Sequence, residues 1–139
     1  MSAAFVLDSS VTMTWLFKDE STPQSSMLLD QLESQSAVVP ALWLLEVANV
    51  MGIAERRGRI TSDESDEFIG ELTKLNIDVE SELASRVFAH IFPLSRERQL
   101  TSYDAVYLDL AIRRQLPLAT LDESLRKAAK KAGVKLLGK

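Results

Sequence analysis

The sequence predicts an α/β fold, a three-layer sandwich with a parallel sheet of about five strands between two helical layers. Three observations lead there. Short apolar runs alternate with longer segments of helical periodicity along the whole chain. Alternation of this kind builds parallel strands joined by right-handed crossovers, with helices on both faces. The 139 residues hold no repeat, low-complexity tract or Gly/Ser/Pro-rich linker, which fits one domain over 1–139 around one core.

Taken in order, Ala4 to Leu7 reads as a buried strand, followed by a helix through Trp15. Thr22-Pro23 is an N-cap with proline at the first helical position, opening a helix to about Glu33. Ala37 to Val39 is a second strand, and Ala41 to Arg57 a long apolar helix ending near Gly58. Thr61-Ser62-Asp63-Glu64 is a capping box, after which Phe68, Ile69, Leu72 and Leu75 form one apolar face. Ile77 to Val79 reads as a third strand despite Asp78. Leu83, Ala84, Val87, Phe88 and Ile91 recur at helical spacing, and Pro93 ends or kinks that helix. Tyr103 to Arg114 is helical, Leu118 to Thr120 a fourth strand, Glu123 to Ala132 a helix stopped by Gly133, and Val134 to Leu137 a final strand.

Composition narrows the chemistry. With no cysteine, thiolate metal sites, iron–sulfur clusters, disulfides and thiol nucleophiles are excluded. A lone histidine, His90, cannot supply a two-His zinc site or paired imidazoles, and no Gly-x-Ser-x-Gly turn or phosphate-binding Gly-x-x-x-x-Gly-Lys loop is present. Carboxylates or hydroxyls must carry any reaction. The N-terminus has no basic segment before an apolar run, and no apolar stretch reaches membrane-spanning length, so the expectation is a cytoplasmic protein with no membrane span.

Ligands of parallel sheets sit beyond the carboxyl ends of the strands, where strand order reverses. Asp8 follows the first strand and Asp122 the fourth, although each also suits a helix N-cap. Glu46 is the only charged residue between Glu33 and Glu55, and its neighbours Leu42, Trp43, Val50 and Ile53 place it on an apolar face. A buried carboxylate without a partner protonates or destabilises the fold. Glu46 therefore needs either an arginine or a metal ion. Asp104 opens a helix, where negative charge is favourable in its own right. If these four acids converge they repel one another, and a divalent cation relieves the repulsion. An all-oxygen site suits Mg²⁺ or Mn²⁺, which activate water and stabilise the leaving oxygen of a phosphodiester.

Together, Val6-Leu7-Asp8-Ser9-Ser10, Leu45-Glu46-Val47-Ala48-Asn49, Tyr103-Asp104-Ala105-Val106-Tyr107-Leu108 and Ala119-Thr120-Leu121-Asp122 resemble, in order and spacing, the PIN-domain family. The chain is most similar to the VapC toxins of type II toxin–antitoxin systems, and the resemblance covers nearly its whole length. It implies strand order 3-2-1-4-5 and a Mg²⁺- or Mn²⁺-dependent endoribonuclease. Water activated at the metal would hydrolyse RNA, leaving 5′-phosphate and 3′-hydroxyl ends. Asp8, Glu46, Asp104 and Asp122 match the family's four acidic positions. Ser10, Asn49 and Thr120 match supporting polar positions. The resemblance further implies a homodimer restrained by a cognate VapB-type antitoxin; Leu16, Phe17, Met27 and Leu28, read on the first helices, are candidate contributors to the contact. Asp109 departs from the family pattern; lying five residues after Asp104, it should point off that face, solvated or salt-bridged, or else serve as an outer acid.

Two other readings compete. A receiver-type signalling module also gathers acids at a sheet edge, but needs a phosphoacceptor Asp after the third strand and a Lys after the fifth; Asp78 and Lys135 fall within those strands instead. A PIN-like domain could also bind RNA or protein without cutting. The basic tail Arg126, Lys127, Lys130, Lys131, Lys135 and Lys139 is either a solvated face or a track for RNA phosphates, and Arg56, Arg57 and Arg59 pose the same choice. Trp15 and Trp43 read as core, His90 as peripheral, and Glu64, Asp66, Glu67 and Glu71 as a solvent face. The net charge of −4 does not oppose an RNA substrate. Setting the four candidate acids aside leaves sixteen acids against sixteen bases.

Overall fold

The computed structural model describes residues 2–81 and 83–139. Its elements are β1 (Ala3–Leu7), α1 (Ser9–Thr14), α2 (Pro23–Gln31), β2 (Ser36–Pro40), α3 (Ala41–Arg56), α4 (Ser62–Lys74), β3 (Ile77–Glu80), α5 (Leu83–Arg86), α6 (Phe92–Arg98), α7 (Ser102–Arg114), β4 (Leu118–Ala119), α8 (Glu123–Lys131) and β5 (Leu136–Leu137). The five strands form one sheet in the order β3-β2-β1-β4-β5, with every neighbouring pair parallel. This is the α/β/α fold that the alternation predicts, in the order implied by the resemblance.

Layering follows from burial. Phe5, Val6 and Leu7 are consecutive and fully buried, as are Ala37 and Val39 around a nearly buried Val38. Side chains on a strand alternate between faces, so both sides of β1 and β2 are covered. The central helix α7 supplies Tyr107, Leu108 and Leu110 to the core, each without exposed surface. Trp15 and Trp43 are also core; their indole N–H groups donate to the Ser25 carbonyl and the Thr12 hydroxyl, both at about 3 Å.

Local chemistry explains most boundaries. Thr22 caps α2 and Thr61 caps α4, each within a capping box. Thr101 caps α7, so that helix starts one residue before Tyr103. Asp122 caps α8 through a 2.8 Å bond accepted from the Leu125 amide. Gln99 and Gln115 end α6 and α7 in the left-handed region.

Three expectations are corrected. The helix expected across Leu83 to Ile91 contains a π turn at Val87–Ile91, and α6 follows with Pro93 in its first turn. The missing Pro93 N–H is harmless there, so the proline marks an offset and not an end. The fourth and fifth strands are two residues each; Val134 and Lys135 precede β5. Asp78 pairs with Val38 in the middle of β3. Neither Asp78 nor Lys135 therefore has the position a receiver requires. Phe17 and Leu28 lie in the core and not on a partner-facing surface, whereas Met27 is 68% exposed.

Candidate active site

β1 and β4 are parallel neighbours that are not consecutive in the chain, so the strand order reverses between them. Asp8 leaves β1 at this point. Its amide donates to the Ala119 carbonyl at 3.0 Å, extending the ladder by one residue. Asp8 stands at the N-cap of α1, yet its side chain caps nothing. Asp8 Oδ2 instead accepts from the Ser10 hydroxyl at 2.6 Å and the Thr120 hydroxyl at 2.7 Å. Those hydroxyls are themselves fixed: Leu121 N–H donates to Ser10 Oγ at 2.9 Å and Asp122 N–H to Thr120 Oγ1 at 3.1 Å. The backbone beyond β4 thus orients the carboxylate at the end of β1.

Glu46 projects from α3 toward the same edge. The Tyr107 phenol donates to Glu46 Oε1 at 2.5 Å, and Ser9 Oγ approaches that oxygen at 3.4 Å. Among the described residues, no arginine or lysine pairs with Glu46, so the structural ion pair weighed from sequence is not its partner. Asp104 is in the first turn of α7, its amide donating to Thr101 Oγ1 at 3.1 Å. Asp122 is exposed and performs the helix-capping role already considered for it.

The acids share one electrostatic environment. Burial pushes the Asp8 carboxyl above the usual range against its two hydroxyl bonds, and Asp122 adds to the rise. Burial likewise raises Glu46, opposed by the Tyr107 bond and assisted by Asp8. Asp104 is pushed up to about 6, first by burial and then by the charges of Asp122, Asp8 and Glu46. Burial and the two nearby carboxylates, Asp8 and Glu46, also raise Tyr107, so it stays a neutral donor.

The donor chemistry and the uncompensated negative charge fit a hard divalent cation. Among the described residues, however, no three acids stand close enough together to hold one ion in this conformation. Asn49, expected as a supporting residue, is exposed, and its side chain makes no hydrogen bond among the described residues.

Asp109 is buried at 8% exposure and takes the salt-bridged of the alternatives expected for it, not the solvated one. It accepts from Arg86 at 2.7 and 2.8 Å and from Arg113 at 3.1 Å, and Arg113 also pairs with Glu80. Burial works to raise its carboxyl, but the hydrogen bonds and charge of the two arginines outweigh this and hold it below the usual range. Two members of the basic tail are also structural. Arg126 donates to the carbonyls of Thr120 at 2.7 Å and Leu137 at 3.0 Å, while Lys139 pairs with Glu123. Arg59 is paired with Asp19 and Glu20 and stacks on Phe17.

Tyr107 and Ser9 received no role from the sequence. Tyr107 lies three residues after Asp104, hence on the same helix face, and is a polar-tipped side chain in an apolar stretch; that spacing was the available signal.

A family model described as "PIN domain" matches residues 5–131. No curated protein matches the chain. Among solved structures, PAE2754 from Pyrobaculum aerophilum is 19% identical with a TM-score of 0.73, covering 96% of this chain and 83% of that one. FitAcB from Neisseria gonorrhoeae is 16% identical with a TM-score of 0.62, covering 95% of each chain. At these identities the two structures show a shared fold.

Proposed function

The chain belongs to the PIN-domain family, whose members are generally nucleases that usually use divalent metals, and we propose that it is a Mg²⁺- or Mn²⁺-dependent endoribonuclease acting as a VapC-type toxin. The observation carrying this reading is the set Asp8, Glu46, Asp104 and Asp122. At the strand-order reversal, burial and then neighbouring carboxylate charge raise Asp8, Glu46 and Asp104, and among the described residues no cationic side chain pairs with any of the four. A structural cluster would be neutralised by arginine, as Asp109 is. This one is left for a cation from solution.

These four residues would hold the metal. When bound, it supplies charge that offsets the acids and activates water for attack on phosphorus. Ser10 and Thr120 keep Asp8 in one rotamer, and Tyr107 does the same for Glu46, so these two carboxylates are oriented in advance. The products expected are 5′-phosphate and 3′-hydroxyl ends.

The partner reading rests on exposed apolar surface. Leu44, Ile69 and Val79, 45–51% exposed, border a groove of about 430 Å³ between α3, α4 and β3. A helical segment of a VapB-type antitoxin would cover such a groove, and a homodimer would form through another face. Among the described residues, no helix is long and apolar enough to cross a membrane, consistent with action on RNA in the cytoplasm.

The test is incubation with structured RNAs under Mg²⁺, Mn²⁺ or EDTA, alongside Asp8→Asn. Metal-dependent cleavage that disappears in the variant is expected. RNA binding without cleavage in either metal, by the unaltered chain, would replace this reading with a non-catalytic RNA-binding domain.

A further inference from the structure

Between the turn joining α6 to α7 and the side of α8 lies a polar cleft of about 430 Å³, lined among others by Glu97, Arg98, Gln99, Ser124, Lys127 and Lys131. Lys127 and Lys131 are four residues apart on α8 and so project from one face. Among the described residues neither takes part in an ion pair. Arg98 is more telling. Its Nε is buried and has no hydrogen-bond partner, and its guanidinium meets Glu97 only at 3.9 Å, beyond hydrogen-bond reach. With no acceptor among the described residues within hydrogen-bond reach, the N–H groups at the exposed tip of the Arg98 guanidinium stay open to one from solution. Gln99 in the left-handed region and the Leu100 amide bonded to the Ser95 carbonyl fix the turn, holding Arg98 at the cleft.

The cleft adjoins the acids through both walls. Ser124 follows Asp122 by two residues, and Leu100, also in the lining, precedes Thr101, which caps the helix bearing Asp104. We propose that Arg98, Lys127 and Lys131 bind phosphates of the RNA strand flanking the bond to be cut. Arginine offers a planar fork that matches phosphate oxygens, and the lysines act as adjustable point charges. Three cations against one carboxylate suit a ligand that carries a charge on every nucleotide. This inference rests on the ribonuclease reading, deepening it to where the substrate lies.

The test uses full-length Asp8→Asn, which should hold RNA uncut, and a short labelled single-stranded RNA whose affinity is measured over a range of KCl. Adding Arg98→Gln, Lys127→Gln and Lys131→Gln is expected to lower the salt slope by about 2, at about 0.7 per phosphate contact. A charge-matched control with Lys74→Gln, Arg114→Gln and Lys135→Gln should keep the slope within about 0.5 of its parent. Equal slopes for the two triple variants overturn the proposal. So does a cleft variant that loses poly-glutamate binding while keeping RNA binding, which would assign the cleft to an acidic protein segment. If the cleft triple on the Asp8 background cuts RNA with an unchanged KM, the cleft proposal falls and the nuclease reading stands. If the Asp8→Asn parent binds no RNA, both fall.

Discussion

The Tyr107 hydroxyl and Glu46 Oε1 are 2.5 Å apart, although 61 residues separate them in the chain. This bond ties α7 to α3 and holds the Glu46 carboxylate in place while Tyr107 remains neutral. Tyr107→Phe removes one oxygen and keeps the ring. RNA cleavage at fixed Mn²⁺ is expected to fall about tenfold, with recovery at higher Mn²⁺, because orienting groups behind metal ligands typically act through metal affinity. Unchanged cleavage and unchanged metal dependence would remove Tyr107 from the site.

Asp104 sets the pH behaviour of the metal-free protein. Its folded carboxyl titrates at about 6 against 3.8 for the ordinary group, so the folded state binds the proton more tightly. Stability from this group is then greatest below about pH 4 and declines as pH rises toward 6. Melting temperature without metal should increase when pH is lowered from 7 to 5, and Asp104→Asn should flatten that increase. Saturating Mn²⁺ at pH 7 should raise the melting temperature by several degrees, as for any ligand that binds only the folded state. A chain that destabilises steadily from pH 7 to 5, or ignores Mn²⁺, contradicts this account.

Asp109 should behave in the opposite way. Its folded carboxyl is held low by Arg86 and Arg113, so its contribution is present above the unfolded pKa and is lost as pH falls below about 4. Asp109→Asn removes the carboxylate shared by two mostly buried guanidinium groups, although Arg113 keeps Glu80, and should cost about 2 kcal/mol in urea unfolding. Cleavage per folded molecule should stay within about twofold, since Asp109 joins α7 to α5 and does not contact the four acids. A loss of activity without a loss of stability would restore the role of outer acid.

Arg126→Met keeps the apolar stem and removes the guanidinium that bridges the carbonyls of Thr120 and Leu137. It should destabilise the fold by about 2 kcal/mol, since hydrogen bonds to charged groups are among the stronger ones. RNA affinity should change less than in the Arg98 variant. The reverse order would make Arg126 part of a phosphate track.

The parts of the fold that depend on local pattern were legible. Thr61 with Glu64, Thr22 with Pro23, and the Val6-Leu7 run followed by Asp8 each announce an element through short-range chemistry. What depends on distant partners was not. Nothing near Asp109 foretells Arg86, which lies 23 residues away beside a π turn. Burial of Phe17, in the loop after α1, and of Leu28, on α2, is decided by neighbouring elements and not by their neighbours in sequence. At the site, residue types and strand-end positions could be read, but the hydroxyl bonds that orient Asp8 and Glu46 could not. Asn49 shows the converse: it sits one turn after Glu46 and stays exposed.

The bond from Thr120 to Asp8 closes over 112 residues, and the Ser10 hydroxyl is fixed by Leu121 over 111. On a chain made from its N-terminus, Asp8 is therefore synthesised more than a hundred residues before the segment that orients it. A ribosome-bound precursor that has reached only Arg114 lacks β4 and carries the acids without their alignment. Such arrested chains should leave RNA intact in a cleavage assay. Long-range closure of this kind postpones alignment of Asp8 until Thr120 and Leu121 have been made and folded against β1.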